Sequence, residues 1–321
     1  MMKKLILFFI FSAVLSVWLS AEVNSIRIAK QYGFNTLPFT VITERKLVQK
    51  YAKEAGLGDN VKIEWITLAG GAATNEALLS GSVDISSSGV APFVRLWDKT
   101  NGRVKAIASS GKDTIGLVSS NPKVKSIKDL GEKDRIALAA VKVSIQSLIL
   151  QIAAAKEYGI ENYDKFDHLT VTLGNPDALV ALTSGKSEIT AHFGREPYTS
   201  IELQNPNIHE ILNSADVVGK GITTGVYSTT KEFYDKNPKL TASFIKALDE
   251  ANEWINANKK EAIELYIKSE NSKESVSVLL SILEKGGADF SPKVAGVTVF
   301  SDFLYKVGAI KSQPKQEDLL F

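Results

Sequence analysis

Gly70 and Gly71 stand directly before a helical run, at the end of a stretch that reads as a strand. Glycine reaches backbone conformations closed to other residues. The free N–H groups that open a helix carry partial positive charge, so such a turn can hold an anion or another polar group. Ser87, Ser88 and Gly89 repeat the arrangement, with hydroxyls and bare backbone at a strand end before another helix. Ser144 is placed to cap a third helix, with Gln146 in its first turn. Arg195 could grip an oxyanion through two bonds, bridge to its neighbour Glu196, or lie solvated at the surface, and Glu196 could instead receive an amine. The chemistry in view is non-covalent capture of a small polar or anionic solute.

Strands and helices must bring these groups together. The segment ALLSGSVDI at 77–85 matches ALTSGKSEI at 181–189 without a gap. Two α/β units of one design suggest two lobes facing each other. Alternating patterns predict strands at 25–29, 61–66, 83–86, 104–111, 114–119, 135–138, 171–173, 190–193 and 208–212, with a strand-like return at 221–228. Helices are expected over 40–55, from Ser144 to about Tyr158, and after Asn175, read as an N-cap, with Pro176 at the first helical position. A short helical turn is expected at 126–130. From 232 onward the pattern is helical. Leu240, Phe244, Leu248, Ala251 and Ile255 line one face of a helix over 238–258. Helices near 259–268, 273–285 and 297–306 follow. In open α/β sheets, ligands collect at the carboxyl ends of the strands, where the glycine and serine turns fall.

The chain opens with Lys3 and Lys4, then an almost wholly apolar run over 5–15 and a small residue at Ala21. This reads as a secretory signal peptide over residues 1–21, cleaved near Ala21. The apolar run is short of the roughly 20 residues a spanning helix needs. The 321 residues contain no cysteine. That excludes lipid anchoring through a cysteine, disulfide stapling and thiol chemistry. A net charge of +2 with mixed signs argues against a nucleic-acid footprint. The remaining chain of roughly 300 residues can bury a full core and form two lobes.

The sequence resembles the solute-binding proteins of ABC importers, in the group that takes nitrate, sulfonates, taurine and pyrimidine precursors. Gly70 and Gly71 followed by the segment 77–84 carry the strongest part of the likeness. The loop from Tyr32 and Gly33 to Leu37 and Pro38 is similar to that family's first ligand loop. Ser87 to Val90, the segment 126–130 and Ser144 to Ser147 also resemble family segments. The resemblance implies an α/β fold of the type II periplasmic-binding-protein class: two lobes, each a mostly parallel sheet flanked by helices, joined by a two-strand hinge. It places lobe 1 at 22–111 plus 221–321 and lobe 2 at 112–220. It implies that crossing strands near Ser110 and Thr223 form the hinge. The departure is the charged pair Arg195 and Glu196.

The resemblance implies a periplasmic monomer that hands its solute to a membrane permease with its ATPase. It requires no cofactor, metal, nucleic acid or catalytic residue. Gly70, Gly71, Ala72, Ser88 and Gly89 would supply donors from one lobe, and Ser144 and Gln146 from the other. Tyr32 and Phe39, with Leu37 and Pro38, would wall the site, unless Tyr32 and Phe39 simply pack the core. A sulfonate such as taurine is favoured, nitrate comes next, and a pyrimidine precursor is the alternative. A periplasmic hydrolase is the competing class, but no Gly-x-Ser-x-Gly elbow is present. His168, His192 and His209 have no metal-ligand spacing. His168 is expected to be solvated, His192 and His209 structural. A sensory role on the same fold stays open.

Overall fold

The computed structural model describes residues 21–321. The leader expected over 1–21 lies outside the described residues, apart from Ala21. In chain order the strands are β1 (Ser25–Lys30), β2 (Lys62–Thr67), β3 (Ile85–Gly89), β4 (Val104–Gly111), β5 (Gly116–Ser119), β6 (Ile136–Leu138), β7 (Thr170–Thr172), β8 (Ala191–Gly194), β9 (His209–Asn213) and β10 (Gly225–Thr230). The helices are α1 (Leu37–Glu44), α2 (Leu47–Glu54), α3 (Gly71–Leu79), α4 (Val90–Lys99), α5 (Ile145–Tyr158), α6 (Asn175–Ser184), α7 (Tyr198–Glu202), α8 (Ser214–Val218), α9 (Lys231–Lys236), α10 (Pro238–Ala257), α11 (Lys259–Glu270), α12 (Val276–Ile282) and α13 (Thr298–Lys306).

The strands form two five-stranded sheets, ordered β2-β1-β3-β10-β4 and β7-β6-β8-β5-β9. In the first sheet β1 pairs parallel with β2 and β3, and β10 runs antiparallel to both β3 and β4. In the second, β6 pairs parallel with β7 and β8, and β5 runs antiparallel to β8 and β9. Each sheet therefore has four strands in one direction and one reversed. The reversed strand is in each case the first one laid down after the chain crosses between sheets. Parallel neighbours need crossover helices, and these cover both faces of the first sheet.

β1 shows how the sequence pattern becomes packing. Ile26 and Ile28 point into a core with Leu240, Phe244, Leu248, Ala251 and Ile255 of α10, while Ala29 faces the opposite cluster. The second cluster runs on from Val90 and Val94 of α4 to Ile145, Ile149 and Ile152 of α5, so the halves share buried apolar contact. The helix expected over 40–55 is two helices. Lys46 adopts a left-handed conformation (φ 51°) between them. The break lets α1 bury 37–42 almost all round, while α2 turns only Leu47, Val48 and Ala52 inward. The strand expected at 83–86 starts at Ile85 and extends to Gly89. The return strand begins at Gly225 rather than 221. The helix expected over 273–285 ends at Ile282 and passes into a wider turn. The predicted cap Asn175 is the first residue inside α6. Gly174 takes the cap position, and the Asn175 side chain is held by His192 instead. Among the described residues, no helix is long and apolar enough to cross a membrane.

Candidate functional site: the facing strand ends

The carboxyl ends of the two sheets face each other and touch. Gly70 caps α3 in an extended conformation (φ −166°, ψ 171°), and a Cβ there would lie 2.7 Å from the carbonyl oxygen of Ala139, beyond β6. Gly89 caps α4, and a Cβ there would lie 3.0 Å from Cβ of Ile145, the first residue of α5. The Phe34 N–H donates across the same gap to the Glu196 carbonyl at 3.0 Å. Arg95 of α4 donates to the Lys142 carbonyl at 3.2 Å. The starts of α3, α4 and α5 thus converge.

Their first-turn N–H groups have no partner within the helix. α3 carries no side-chain cap, so the N–H groups of Gly71 and Ala72 are presented bare. In α5 the Ser144 hydroxyl takes the N–H of Ser147, and the N–H groups of Ile145 and Gln146 precede it. In α4 the Val90 N–H is used by the Thr224 carbonyl at 3.0 Å, and Pro92 has none. Nearby, the hydroxyls of Ser87, Ser88 and Ser147 and the amide oxygens of Asn35 and Asn75 are buried without a partner among the described residues. Buried polar atoms in folded proteins are nearly always bonded. This group leaves acceptors and hydroxyls free for hydrogen bonds at the meeting of the halves.

Arg195 is 8% exposed and ends on the crossings between the halves. Its Nη1 donates to Asp113 Oδ2 at 2.7 Å and to Thr224 Oγ1 at 3.3 Å, and Nη2 donates to the Thr224 carbonyl at 3.2 Å. The alternative pairing with Glu196 does not occur. The Glu196 carboxylate accepts from the hydroxyls of Thr199 and Ser200 and the Ser200 N–H, capping α7. Burial pushes its pKa up, and those bonds only partly offset the shift. Thr223 bonds Ala295 through both its backbone and its hydroxyl. Ser110 packs where a side chain at Gly225 would collide with it.

Tyr32 is half-buried and lies close to Tyr198. Burial, with Glu270 and Tyr32 close by, drives the Tyr198 hydroxyl well above its ordinary range. Leu37 and Pro38 are buried in α1. Phe39 packs on Trp65 (4.5 Å) and Tyr227 (5.3 Å), so it belongs to the core rather than the wall. His192 is fully buried, with Nδ1 2.7 Å from Glu202 and Nε2 3.1 Å from Asn175. His209 reaches the Val124 carbonyl and His168 lies exposed beside Glu132. All three match their expected structural or solvated roles.

The structure brings Gly70, Gly71, Ala72, Ser88, Gly89, Ser144 and Gln146 to the starts of helices that meet between the halves. It sets Arg195, Ser110 and Thr223 at the crossings. Sequence reasoning missed Asp113, Thr224, Ala139, Arg95 and Tyr198. Asp113 and Arg195 are 82 positions apart, and no local pattern links them. An acid just beyond the small residues that end β4 was the available signal.

The model of the NMT1-like family matches residues 20–268. An Escherichia coli protein named as an aliphatic sulfonates-binding protein is 24% identical over 250 residues, covering 77% of this chain and 72% of its own. Among solved structures, the alkanesulfonate-binding protein SsuA from Xanthomonas axonopodis pv. citri, bound to MOPS, superposes with a TM-score of 0.73 at 17% identity, covering 94% of this chain and 99% of that one. The periplasmic nitrate-binding protein NrtA from Synechocystis superposes with a TM-score of 0.69 at 14% identity, covering 92% and 84%. The two-lobe periplasmic-binding-protein fold is shared with both.

Proposed function

The chain belongs to the NMT1-like family, and from that premise we propose that it is a periplasmic solute-binding protein of an ABC importer. It captures a small anionic or polar solute between its lobes and delivers it to a membrane permease with its ATPase. The lobes are residues 22–111 plus 221–321 and residues 112–220. The leader over 1–21 carries the chain across the inner membrane and is removed. Binding is reversible and no covalent chemistry is performed.

One observation carries this reading: the starts of α3, α4 and α5 meet from opposite halves, beside buried hydroxyls that lack partners. Helix starts facing an anion from both sides favour the closed arrangement, which couples capture to closure. Gly70, Gly71, Ala72, Ser88 and Gly89 supply the contacts of lobe 1, and Ser144 and Gln146 those of lobe 2. Of the nearby cations, Arg195 is engaged by Asp113 and Lys30 by Glu270, whereas Arg95 meets only the Lys142 carbonyl and keeps a buried Nε without a partner among the described residues. Main-chain donors beside the aromatic rim of Tyr32 and Tyr198 suit a sulfonate, taurine included, better than nitrate. A pyrimidine precursor would use the same rings as stacking faces.

A thermal-shift screen across alkanesulfonates, taurine, nitrate and pyrimidines tests the proposal. A solute at about 100 times its dissociation constant stabilises by about 2.7 kcal/mol. A sulfonate is expected to give the largest rise, followed by saturable one-site calorimetry without turnover. No stabilisation by any of these solutes, or hydrolysis of an ester or phosphate probe, would overturn it.

A further inference from the structure

The fold ties the two chain crossings to the lip of the cleft through one side chain. Arg195 follows β8 in the second half, yet its guanidinium ends between the crossings. Asp113 belongs to the outgoing crossing, between Gly111 and Gly116. Thr224 belongs to the return crossing, directly before β10. The Thr224 hydroxyl lies 3.2 Å from Asp113 Oδ1 and 3.5 Å from the Gly111 carbonyl. Both crossings and the β8 loop therefore form one bonded unit. The next residue in that loop, Glu196, takes the Phe34 N–H from the other half. Gly33 fits the turn because a Cβ there would lie 2.9 Å from the Glu196 carbonyl oxygen.

We propose that Arg195 is a positioning residue that sets the angle between the lobes and transmits it to the cleft lip, without touching the solute. The planar fork reaches an acid on one crossing and a hydroxyl and carbonyl on the other at once. A lysine's three donors radiate from one nitrogen on a flexible stem, so they do not match both crossings in a fixed fork. The pair is nearly buried, its side chains about 10% exposed each, so water competes weakly for these bonds. A cavity of about 170 Å³ lined in part by Asp113, Gly219, Gly221 and Thr224 flanks the unit and leaves room for the crossings to flex. The proposal goes beyond solute capture and takes from that reading only the meaning of lobe closure.

The test uses the chain's lack of cysteine. Leu79→Cys on α3 and Val180→Cys on α6, both exposed, carry spin labels on opposite halves. Interlobe distances are measured by pulsed electron resonance with no solute present. Arg195→Lys keeps the charge opposite Asp113, and Thr224→Val keeps the shape of the side chain. Both are expected to melt near the parent temperature, with a wider distance distribution shifted to longer separation. A parental distribution in the folded molecules of both variants, whether or not melting drops, overturns the proposal. Because no solute is added, failure of the solute-capture reading in the thermal-shift screen leaves this result independent.

Discussion

β3 and β8 hold the same place in their sheets, third in each strand order and next to β1 and β6. Both end in glycine, Gly89 and Gly194, and both lead into a helix. Their last residues are used in opposite ways. At the end of β3, the hydroxyls of Ser87 and Ser88 are buried and unpartnered. At the end of β8, His192 occupies the position of Ser87 and is tied to Glu202 and Asn175. Val90 and Ala91 follow Gly89, whereas Arg195 and Glu196 follow Gly194 and are held by the crossings and by α7. One half leaves its strand end chemically open, and the other commits it to structure. A shared plan therefore does not imply shared duties, and in the second half it is the start of α5 that meets the end of β3.

Four experiments probe that contrast, the largest effect first. His192→Ala strands the Glu202 carboxyl at no exposure, and leaving such a buried group without its hydrogen-bond partner costs about 1–3 kcal/mol. Ser87→Ala removes a hydroxyl with no partner and should fall within about 0.5 kcal/mol of the parent. Urea denaturation compares them, and equal costs would erase the distinction. Next, Gly70→Ala has an extended backbone that tolerates a side chain, so its penalty lies between the halves, against Ala139. Calorimetry with the best sulfonate should show at least tenfold weaker binding, about 1.4 kcal/mol. Gly174→Ala, at the matching cap of α6, has no atom outside its own turn nearby and should bind normally.

The third concerns pH. Burial raises the pKa of Glu196, so the folded state holds its proton more firmly than the unfolded chain. Its contribution to stability is full below the ordinary carboxylate range and is lost as pH rises through the raised value. Glu196→Gln should flatten that decline, read as a smaller fall in urea midpoint from about pH 4 to about pH 7. An unchanged slope would show that the carboxyl is not responsible. The smallest effect is at the repeated segments. Ser80 donates to the Ala77 carbonyl and Ser184 to the Ala181 carbonyl, each at 3.1 Å. Replacing either serine by alanine should cost about 0.5 kcal/mol, and unequal values would show that the match in sequence is not one in energetics.

The sequence repeat 77–85 and 181–189 is real in three dimensions. Besides the matching serine bonds, Gly81 (φ 70°) and Gly185 (φ 63°) end the two helices in the same left-handed turn. Most strands and the apolar stripe of α10 were readable because alternation and helical spacing report directly on which side is buried. The broken helix at Lys46 was not, since a left-handed lysine leaves no compositional mark. Asn175 misled because a good cap residue was diverted to a histidine seventeen positions away. The glycine turns were legible as helix starts from local chemistry alone. The partners of Arg195 were not, because they lie on two distant crossings that only the folded chain brings together.

β10 stands between β3 and β4, and β4 joins its sheet only through it. The first sheet therefore stays in two pieces until the chain has been made through residue 230, while the strands of the second arise from one uninterrupted segment. Nascent or translocating protein should finish its inserted half early and leave the outer half waiting for a late central strand. In pulse-labelled hydrogen exchange during refolding, amides of β5 and β8 should gain protection before those of β4. Simultaneous protection would mean that assembly does not follow the order of connection.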